Sequence, residues 1–156
     1  MRVFPDTSLL CALYRRQVNS PEAIAFMERH AAALPVSGLL LLEFRQSVRL
    51  QTRLFSLDRR KGFPESEGAR MLRDLQSDLT DGILKIEGVD WAVVYRIAET
   101  LSSAHTRGSG NRLVDILHVA TALHLGAEEF LTFDANQKAL AESEGMSVPF
   151  QAFGRK

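Results

Sequence analysis

The sequence predicts an α/β fold with a parallel β-sheet at its centre. Short apolar runs typical of strands alternate with longer segments that have helical periodicity. Helices between successive strands act as crossovers, so the strands pair in parallel and the helices cover the sheet. The chain has 156 residues, of which 46% are hydrophobic, enough for one continuous core. We therefore expect a single domain over residues 1–150, followed by a short C-terminal tail at 151–156.

Strand-like and helical segments alternate along the chain. The strand-like segments are 2–5, 34–37, 82–86, 129–133 and, with the weakest pattern, 146–149. The helical segments are 8–16, 20–33, 38–54, 64–79, 90–104, 112–125 and 136–144. Ser20 and Asp90 are typical residues at helix starts, and Gly126 and Gly145 follow the last two helices, where glycine commonly ends a helix. The stretch 105–112 has the strongest loop character.

Composition and charge exclude several classes of protein. Nineteen basic residues balance nineteen acidic ones, which excludes a globally basic nucleic-acid-coating protein but leaves room for a local basic patch. The single cysteine, Cys11, excludes an internal disulfide framework and a cysteine-rich zinc site. The longest purely apolar run, 39–42, is far shorter than the roughly 18 residues of a membrane span. The amino terminus does not resemble a secretory signal, so we expect a soluble cytoplasmic protein with no membrane contact.

Two aspartates directly follow predicted strands. Asp6 follows the first strand, and Asp134 follows the fourth. Ligands of parallel sheets bind beyond the carboxyl ends of the strands, so both positions are candidates for chemistry. Each residue also has an ordinary structural explanation, because aspartate commonly caps helices and a helix starts just after Asp134.

Two further acids lie on apolar faces of predicted helices. Glu43 shares its face with Leu39 and Leu50, and a carboxylate there is costly to bury unless it is paired or bound to metal. Asp115 shares its face with His118 and lies near the amino end of its helix, where the helix dipole favours negative charge. For both acids the alternative is partial exposure or a buried ion pair with a nearby arginine.

Together the four acids suggest a metal site, if the fold brings their separate segments into one pocket. Mutual repulsion would then disfavour ionisation of all the carboxylates unless a cation lay between them. Oxygen ligands without cysteine or clustered histidine favour a hard ion, Mg²⁺ or Mn²⁺. Such a pocket suits hydrolysis of phosphodiester bonds. The acids are Asp6, Glu43, Asp115 and Asp134.

The segments around these acids resemble the motifs of PIN-domain ribonucleases, and among those the VapC-type toxins of bacterial toxin–antitoxin pairs. The resembling segments are, in order, Asp6-Thr7-Ser8-Leu9-Leu10, Leu42-Glu43-Phe44, 115–122 and 130–137. The resemblance covers essentially the whole chain. The third and fourth segments together are fairly specific, whereas the first alone would be weak.

This resemblance implies a three-layer α/β/α sandwich with a central parallel sheet of about five strands. It implies that Asp6, Glu43, Asp115 and Asp134 form the catalytic pocket that binds Mg²⁺ or Mn²⁺, and that Ser8, Thr132 and Asn136 support them by hydrogen bonding. The implied activity is endonucleolytic cleavage of RNA, often structured RNA or tRNA. The implied partners are an antitoxin protein and a second copy of the chain.

Basic residues near these motifs are candidates for RNA contact. Arg45, Arg49 and Arg53 recur every four residues, either to hold RNA phosphates or as a solvated helix face. Arg112 lies less than one helical turn before Asp115, so it is a candidate substrate contact. His118, one turn after Asp115, is a candidate substrate contact or support for the site, and the alternative is a buried structural histidine.

The sequence alone leaves other functions open. A haloacid-dehalogenase-like phosphatase would need a second aspartate where the chain has Ser8, and a receiver-like phosphoacceptor would need a lysine after a late strand. Both are therefore disfavoured. A catalytically silent PIN-like module that only binds RNA or protein remains the main alternative to the nuclease.

Overall fold

The computed structural model describes residues 1–151, which form two compact units. The terminal unit consists of Met1–Leu9 together with the chain from Glu87 onward, and the central unit is Leu10–Ile86. Of the predicted C-terminal tail, only Gln151 belongs to the described residues.

Strands and helices alternate in the order that the sequence predicts. The strands are β1 (Val3–Pro5), β2 (Leu34–Val36), β3 (Leu84–Ile86) and β4 (Glu129–Leu131). The helices are α1 (Thr7–Tyr14), α2 (Ser20–Arg29), α3 (Gly38–Leu57), α4 (Glu65–Thr80), α5 (Trp91–Leu101), α6 (Arg107–Ser109), α7 (Leu113–His124) and α8 (Ala135–Ser143). A π-helical turn, Ser102–Thr106, connects α5 to α6.

The strands pair in parallel, which confirms the predicted α/β class. In the terminal unit β1 pairs with β4, with Phe4 opposite Phe130. In the central unit β2 pairs with β3 in the same orientation. The predicted sheet of about five strands is thus seen, within the described residues, as two parallel pairs. The weak fifth strand is reduced to one parallel bridge between Glu129 and Ser147.

The stretch 105–112 is more helical than the sequence predicts. The helix that begins at Trp91 continues through the π-helical turn into α6, and it ends only at Gly110, which has a φ of +64°. No proline interrupts this stretch, so helical hydrogen bonding persists until the left-handed glycine. Segments of π-helix are rare and are often found at functional sites.

The terminal unit buries most of its two strands. Phe4, Phe130 and Leu131 have no exposed surface, and α7 packs against α5 and α8. Helix α7 is also buried along most of its length, although it carries Asp115 and His118. This helix therefore brings two polar side chains into the interior of the unit.

The central unit is built around α3, which packs against α4. Ser37 caps α3 by accepting a hydrogen bond from the backbone N–H of Leu40 at 3.1 Å. The Tyr14 hydroxyl donates to Asp78 Oδ2 at 2.6 Å, and burial together with this carboxylate raises the pKa of Tyr14. None of the helices among residues 1–151 has the length and apolar character needed to cross a membrane.

Candidate functional site

Asp6 lies at the carboxyl end of β1, inside the terminal unit. Its backbone N–H donates to the carbonyl of Leu131 at 3.1 Å, which extends the β1–β4 ladder by one residue. Because the two strands are parallel, the residues that follow each of them lie at the same edge. The Asp6 side chain is consequently brought beside Thr132, and it is fully buried, with 0% of the residue exposed.

Hydrogen bonds from Ser8, Leu9, Thr132 and Gln137 hold the Asp6 carboxylate. Oδ1 accepts from the Ser8 hydroxyl at 2.6 Å and from the backbone N–H groups of Ser8 and Leu9 at 3.0 and 3.3 Å. Oδ2 accepts from the Thr132 hydroxyl and from Gln137 Nε2, both at 2.7 Å. Asp6 therefore caps the start of α1, and donors from three separate segments fix its orientation.

Burial dominates the electrostatics of Asp6. Removal from water raises the pKa of its carboxyl from 3.8 to about 6, although hydrogen bonds from Ser8 and Thr132 and the charge of His118 act in the opposite direction. Hydrogen bonds alone thus do not compensate the buried negative charge. A cation close to Asp6 would stabilise its ionised form.

Thr132 and Ser8 connect Asp6 to the start of α8. The Thr132 hydroxyl accepts from the backbone N–H of Asp134 at 2.9 Å, and the Ser8 hydroxyl accepts from that of Phe133 at 2.8 Å. Asp134 caps α8, because its Oδ1 accepts from the backbone N–H groups of Asn136 and Gln137. Asp134 therefore caps a helix, which is one of the two interpretations that the sequence left open for this residue.

Asp115 lies in the first turn of α7 and is only 2% exposed. Its Oδ2 is 3.3 Å from Nε of Arg112, whose side chain is 61% exposed. Asp115 thus forms an ion pair with a nearby arginine, which is one of the alternatives that the sequence left open for it. His118, one turn later, is fully buried, and its charge acts on Asp6. This face of α7 therefore lies close to Asp6.

Glu43 belongs to the other compact unit. It lies on α3, where it is partly buried, and the three arginines of the predicted stripe lie on the same helix. Arg45 is partly buried, whereas Arg49 and Arg53 are exposed. The terminal unit thus contains three of the four predicted acids, and the central unit contains Glu43.

The side chains around Asp6 suit a hard cation in their chemistry. In the described part of the chain, no group of three or more histidine, cysteine, aspartate or glutamate side chains is arranged to hold a metal ion. The donors near Asp6 are nonetheless carboxylate, hydroxyl and amide oxygens, which Mg²⁺ and Mn²⁺ prefer. Gln137 Oε1 is also buried and accepts no hydrogen bond from residues 1–151. A divalent cation would therefore meet suitable oxygens here.

Gln137 is a functional candidate that the sequence analysis missed. It is the third residue after Asp134, a position at which a glutamine is usually explained by its own helix. Its contact with Asp6 spans 131 positions in the chain, so helical spacing gives no sign of it. The only signal was its inclusion in the fourth motif.

Residues 3–143 match the PIN domain family, which covers most of the chain. This chain belongs to the PIN domain family. PIN domains are nucleases, and they generally use a divalent metal ion. No match was found among the curated proteins.

Solved structures of bacterial PIN proteins share this fold. The chain is similar to FitAcB from Neisseria gonorrhoeae, with a TM-score of 0.64, 18% identity and coverage of 94% of this chain and 95% of that one. It is similar to FitAB bound to an IR36 DNA fragment, with a TM-score of 0.66, 21% identity and coverage of 97% and 94%. Mycobacterium tuberculosis VapC20, a sarcin–ricin loop cleaving toxin, gives a TM-score of 0.64 at 17% identity, with coverage of 88% and 93%. At these identities the likeness concerns the fold.

Proposed function

We propose that this protein is a metal-dependent endoribonuclease that hydrolyses RNA phosphodiester bonds and acts as the toxin of a toxin–antitoxin pair. The observation that carries the proposal is the Asp6 carboxylate, which is fully buried at the shared edge of β1 and β4. Burial raises the pKa of the Asp6 carboxyl to about 6 and so opposes its ionisation. A residue that served stability alone would not need to be an acid at this buried position. Because the PIN domain family consists of nucleases, a catalytic role explains the presence of this buried carboxylate.

In this proposal Asp6, Asp115 and Asp134 hold Mg²⁺ or Mn²⁺. Glu43 is the fourth proposed acid, and it is included because of its sequence motif. When bound, such an ion polarises a phosphoryl oxygen and lowers the pKa of a water, so that no nucleophilic side chain is needed. Hydrolysis of this kind leaves a 5′-phosphate and a 3′-hydroxyl.

The chain's own residues position the acids and the substrate. Ser8 and Thr132 each donate to a different oxygen of Asp6, so the plane of its carboxylate is fixed before substrate arrives. Arg112 has a side chain that is 61% exposed beside the buried Asp115, and its guanidinium can donate to a phosphate of the RNA. We expect His118 to support Asp6 from α7, since its charge already acts on that carboxylate.

Substitution of single acids tests the nuclease. With Mn²⁺ and a mixed tRNA substrate, Asp6→Asn and Asp115→Asn should each reduce cleavage at least about 100-fold, because each removes an anionic oxygen ligand without changing side-chain size. Glu99→Gln, an exposed acid on α5, is the matched control and should cleave like the wild type. Undiminished cleavage by both aspartate variants would refute the assignment of the acids.

The toxin role has its own support and its own test. Neighbours in fold include the VapC20 toxin, which cleaves the sarcin–ricin loop, and FitAB bound to a DNA fragment, and they support an antitoxin partner and an RNA target. The family resemblance adds the proposals of a cytoplasmic location and of tRNA as the RNA that is cleaved. Expression of the chain alone should arrest bacterial growth, and co-expression of a small protein encoded next to its gene should restore it. We also propose a homodimer, which sedimentation can test. Normal growth on expression would contradict toxicity but not nuclease chemistry.

A catalytically silent RNA- or protein-binding module is the second candidate. The observation that favours it is that the acids of the terminal unit already serve the fold: Asp6 and Asp134 cap helices, and Asp115 pairs with Arg112. A silent module would show no metal-dependent cleavage. It would also bind its partner equally well as wild type and as Asp6→Asn.

A further inference from the structure

A small cavity lies beside the candidate site within the terminal unit. Its volume is about 300 Å³, and its walls come from the π-helical turn and α6 on one side and from α8 on the other. The polar side chains that line it are His105, Ser109, Asn111, Asn136 and Ser143. Asn136 is also expected to support the acids of the nuclease, but none of those four acids is among the described residues that line the cavity.

Both walls of the cavity continue into the candidate site. In the sequence, Asn136 lies between Asp134, which caps α8, and Gln137, which donates a hydrogen bond to Asp6. On the other wall, Asn111 is followed by Arg112, which pairs with Asp115. A nucleotide next to the cleaved phosphate would therefore have its base close to this cavity.

Asn111 has a polar atom that the fold leaves unsatisfied. The residue is only 7% exposed, and its Oδ1 accepts no hydrogen bond from the described residues. An unpaired buried acceptor is costly and is often explained by a ligand. Because the terminal torsion of asparagine is broad, a modest rotation about it would present the amide to the cavity.

The lining of the cavity fits an uncharged polar ring better than a phosphate. No lysine or arginine is among the residues lining it in the described chain. His105 is held by Glu144, with Nε2 and Oε1 2.7 Å apart, and its ring forms part of the wall on which a base can stack. A volume of about 300 Å³ is at the lower end for ligand pockets, which suits one base rather than a longer segment.

We propose that this cavity binds one adenine base of an unpaired nucleotide next to the cleaved bond. Asparagine amides pair with the adjacent donor and acceptor of adenine, and the two asparagines of the cavity supply such amides. RNA is read mainly through unpaired bases that leave the stack, so a base pocket provides sequence preference. This inference rests on the proposed nuclease function, and it states that the nuclease prefers RNA with an unpaired adenine next to the cleaved bond.

Nucleotide binding in EDTA tests the cavity without any cleavage. Adenosine monophosphate should shift the side-chain amide NMR signals of Asn111 and Asn136 in a saturable way, and it should bind at least about 10-fold more tightly than cytidine or uridine monophosphate. Asn111→Ala should weaken binding at least about 10-fold. Ala139→Phe should do the same by filling the cavity from an exposed position, where the substitution does not threaten the fold. Ser103→Ala, exposed on the same π-helical turn, is the control.

Contradictory outcomes are equally definite. Equal binding of all the nucleotides, an equal response to inorganic phosphate, or unchanged affinity in both cavity variants would overturn the inference. Cleavage of a randomised RNA pool then separates the two proposals. If the wild type cuts without base preference, the cavity proposal fails and the nuclease stands. If it binds adenosine monophosphate in the cavity but never cuts, the cavity stands as a base site and the nuclease fails.

Discussion

The two compact units differ in what they bury. Of the nine polar or charged residues that are buried in the described chain, seven lie in the terminal unit and two, Ser20 and Ser37, lie in the central unit. Both serines of the central unit have simple local roles, at the turn before α2 and at the cap of α3. The terminal unit instead buries two aspartates and a histidine.

This contrast separates residues that serve stability from residues that serve chemistry. Burial of a charged group opposes folding unless partners compensate it, and Asp6 is only partly compensated. We therefore expect substitutions in the central unit to cost stability without any gain, whereas selected substitutions in the terminal unit should stabilise the fold and abolish activity. Four substitutions test this contrast, from the largest expected change in stability to the smallest.

A large apolar side chain of the central unit should show the largest effect. Phe44 is fully buried on α3 and packs against the ring of Tyr14, with 5.6 Å between the ring centroids. Phe44→Ala should lower the free energy of unfolding by about 3–5 kcal/mol, because it removes buried surface and leaves a cavity. Denaturant titration measures this change. A cost below about 1 kcal/mol would mean that the interior of this unit is not closely packed.

Asp6→Asn should have the opposite sign at neutral pH. The folded-state pKa of Asp6, about 6, exceeds the ordinary value of 3.8, so the folded state binds this proton more tightly than the unfolded state does. Its contribution to stability is complete below pH 3.8 and is lost as the pH rises through 6. The loss amounts to about 3 kcal/mol at pH 7.5. Asparagine avoids this loss, and its amide can donate to Gln137 Oε1 once that side chain flips.

Denaturant titrations of Asp6→Asn and wild type in EDTA, from pH 3.5 to 8, test this sign. The stabilisation should be absent at pH 3.5, should grow between pH 4 and 6, and should be constant above pH 7. A variant that is less stable than the wild type at pH 7.5 would show that the hydrogen bonds to Asp6 outweigh its burial.

Thr132→Val tests the connection between Asp6 and α8. The substitution keeps the side-chain shape but removes a hydroxyl that donates to Asp6 and accepts from the backbone N–H of Asp134. We expect a loss of about 1–3 kcal/mol at pH 7.5, because both groups lose a partner. Thr100→Val is the matched control, since Thr100 is exposed and its hydroxyl donates to the carbonyl of Arg96 within its own helix. Equal costs in the two variants would contradict the special role of Thr132.

Arg112→Gln should have the smallest effect on stability. The Arg112 side chain is 61% exposed, so water and salt weaken its attraction to Asp115. We expect a loss below about 1 kcal/mol in 50 mM salt, and no difference from the wild type in 1 M salt. A larger, salt-independent loss would mean that Arg112 is a structural residue of the terminal unit rather than a residue available to the substrate.

The sequence predicts the fold more completely than it predicts the site. Alternating strand and helix patterns are local, so the order of elements and the parallel orientation of paired strands follow from them, whereas the choice of β4 as the partner of β1 does not. The caps at Asp90 and Asp134 follow in the same way, because each bonds the backbone of its own helix. Nothing local marks the π-helical turn, which depends on how a continuing helix accommodates an extra residue.

The site depends on contacts between distant segments. The bond from Gln137 to Asp6 and the bond from Thr132 to the same carboxylate each span more than 100 positions, and only the folded chain shows them. The ion pair between Arg112 and Asp115 is local, at a spacing of three residues, and the sequence analysis left it open as an alternative. The proximity of His118 to Asp6, by contrast, needs the packing of α7 within the terminal unit.

A crystal soaked in Mn²⁺ tests the central claim most directly. We predict an anomalous peak within coordination distance, about 2.0–2.3 Å, of an Asp6 oxygen, with Asp115 and Asp134 as ligands either directly or through water. The same soak of Asp6→Asn should show no peak at that position. Peaks confined to surface carboxylates, or an Asp6 that keeps its hydrogen bonds to Ser8, Leu9, Thr132 and Gln137 with no ion beside it, would contradict the account.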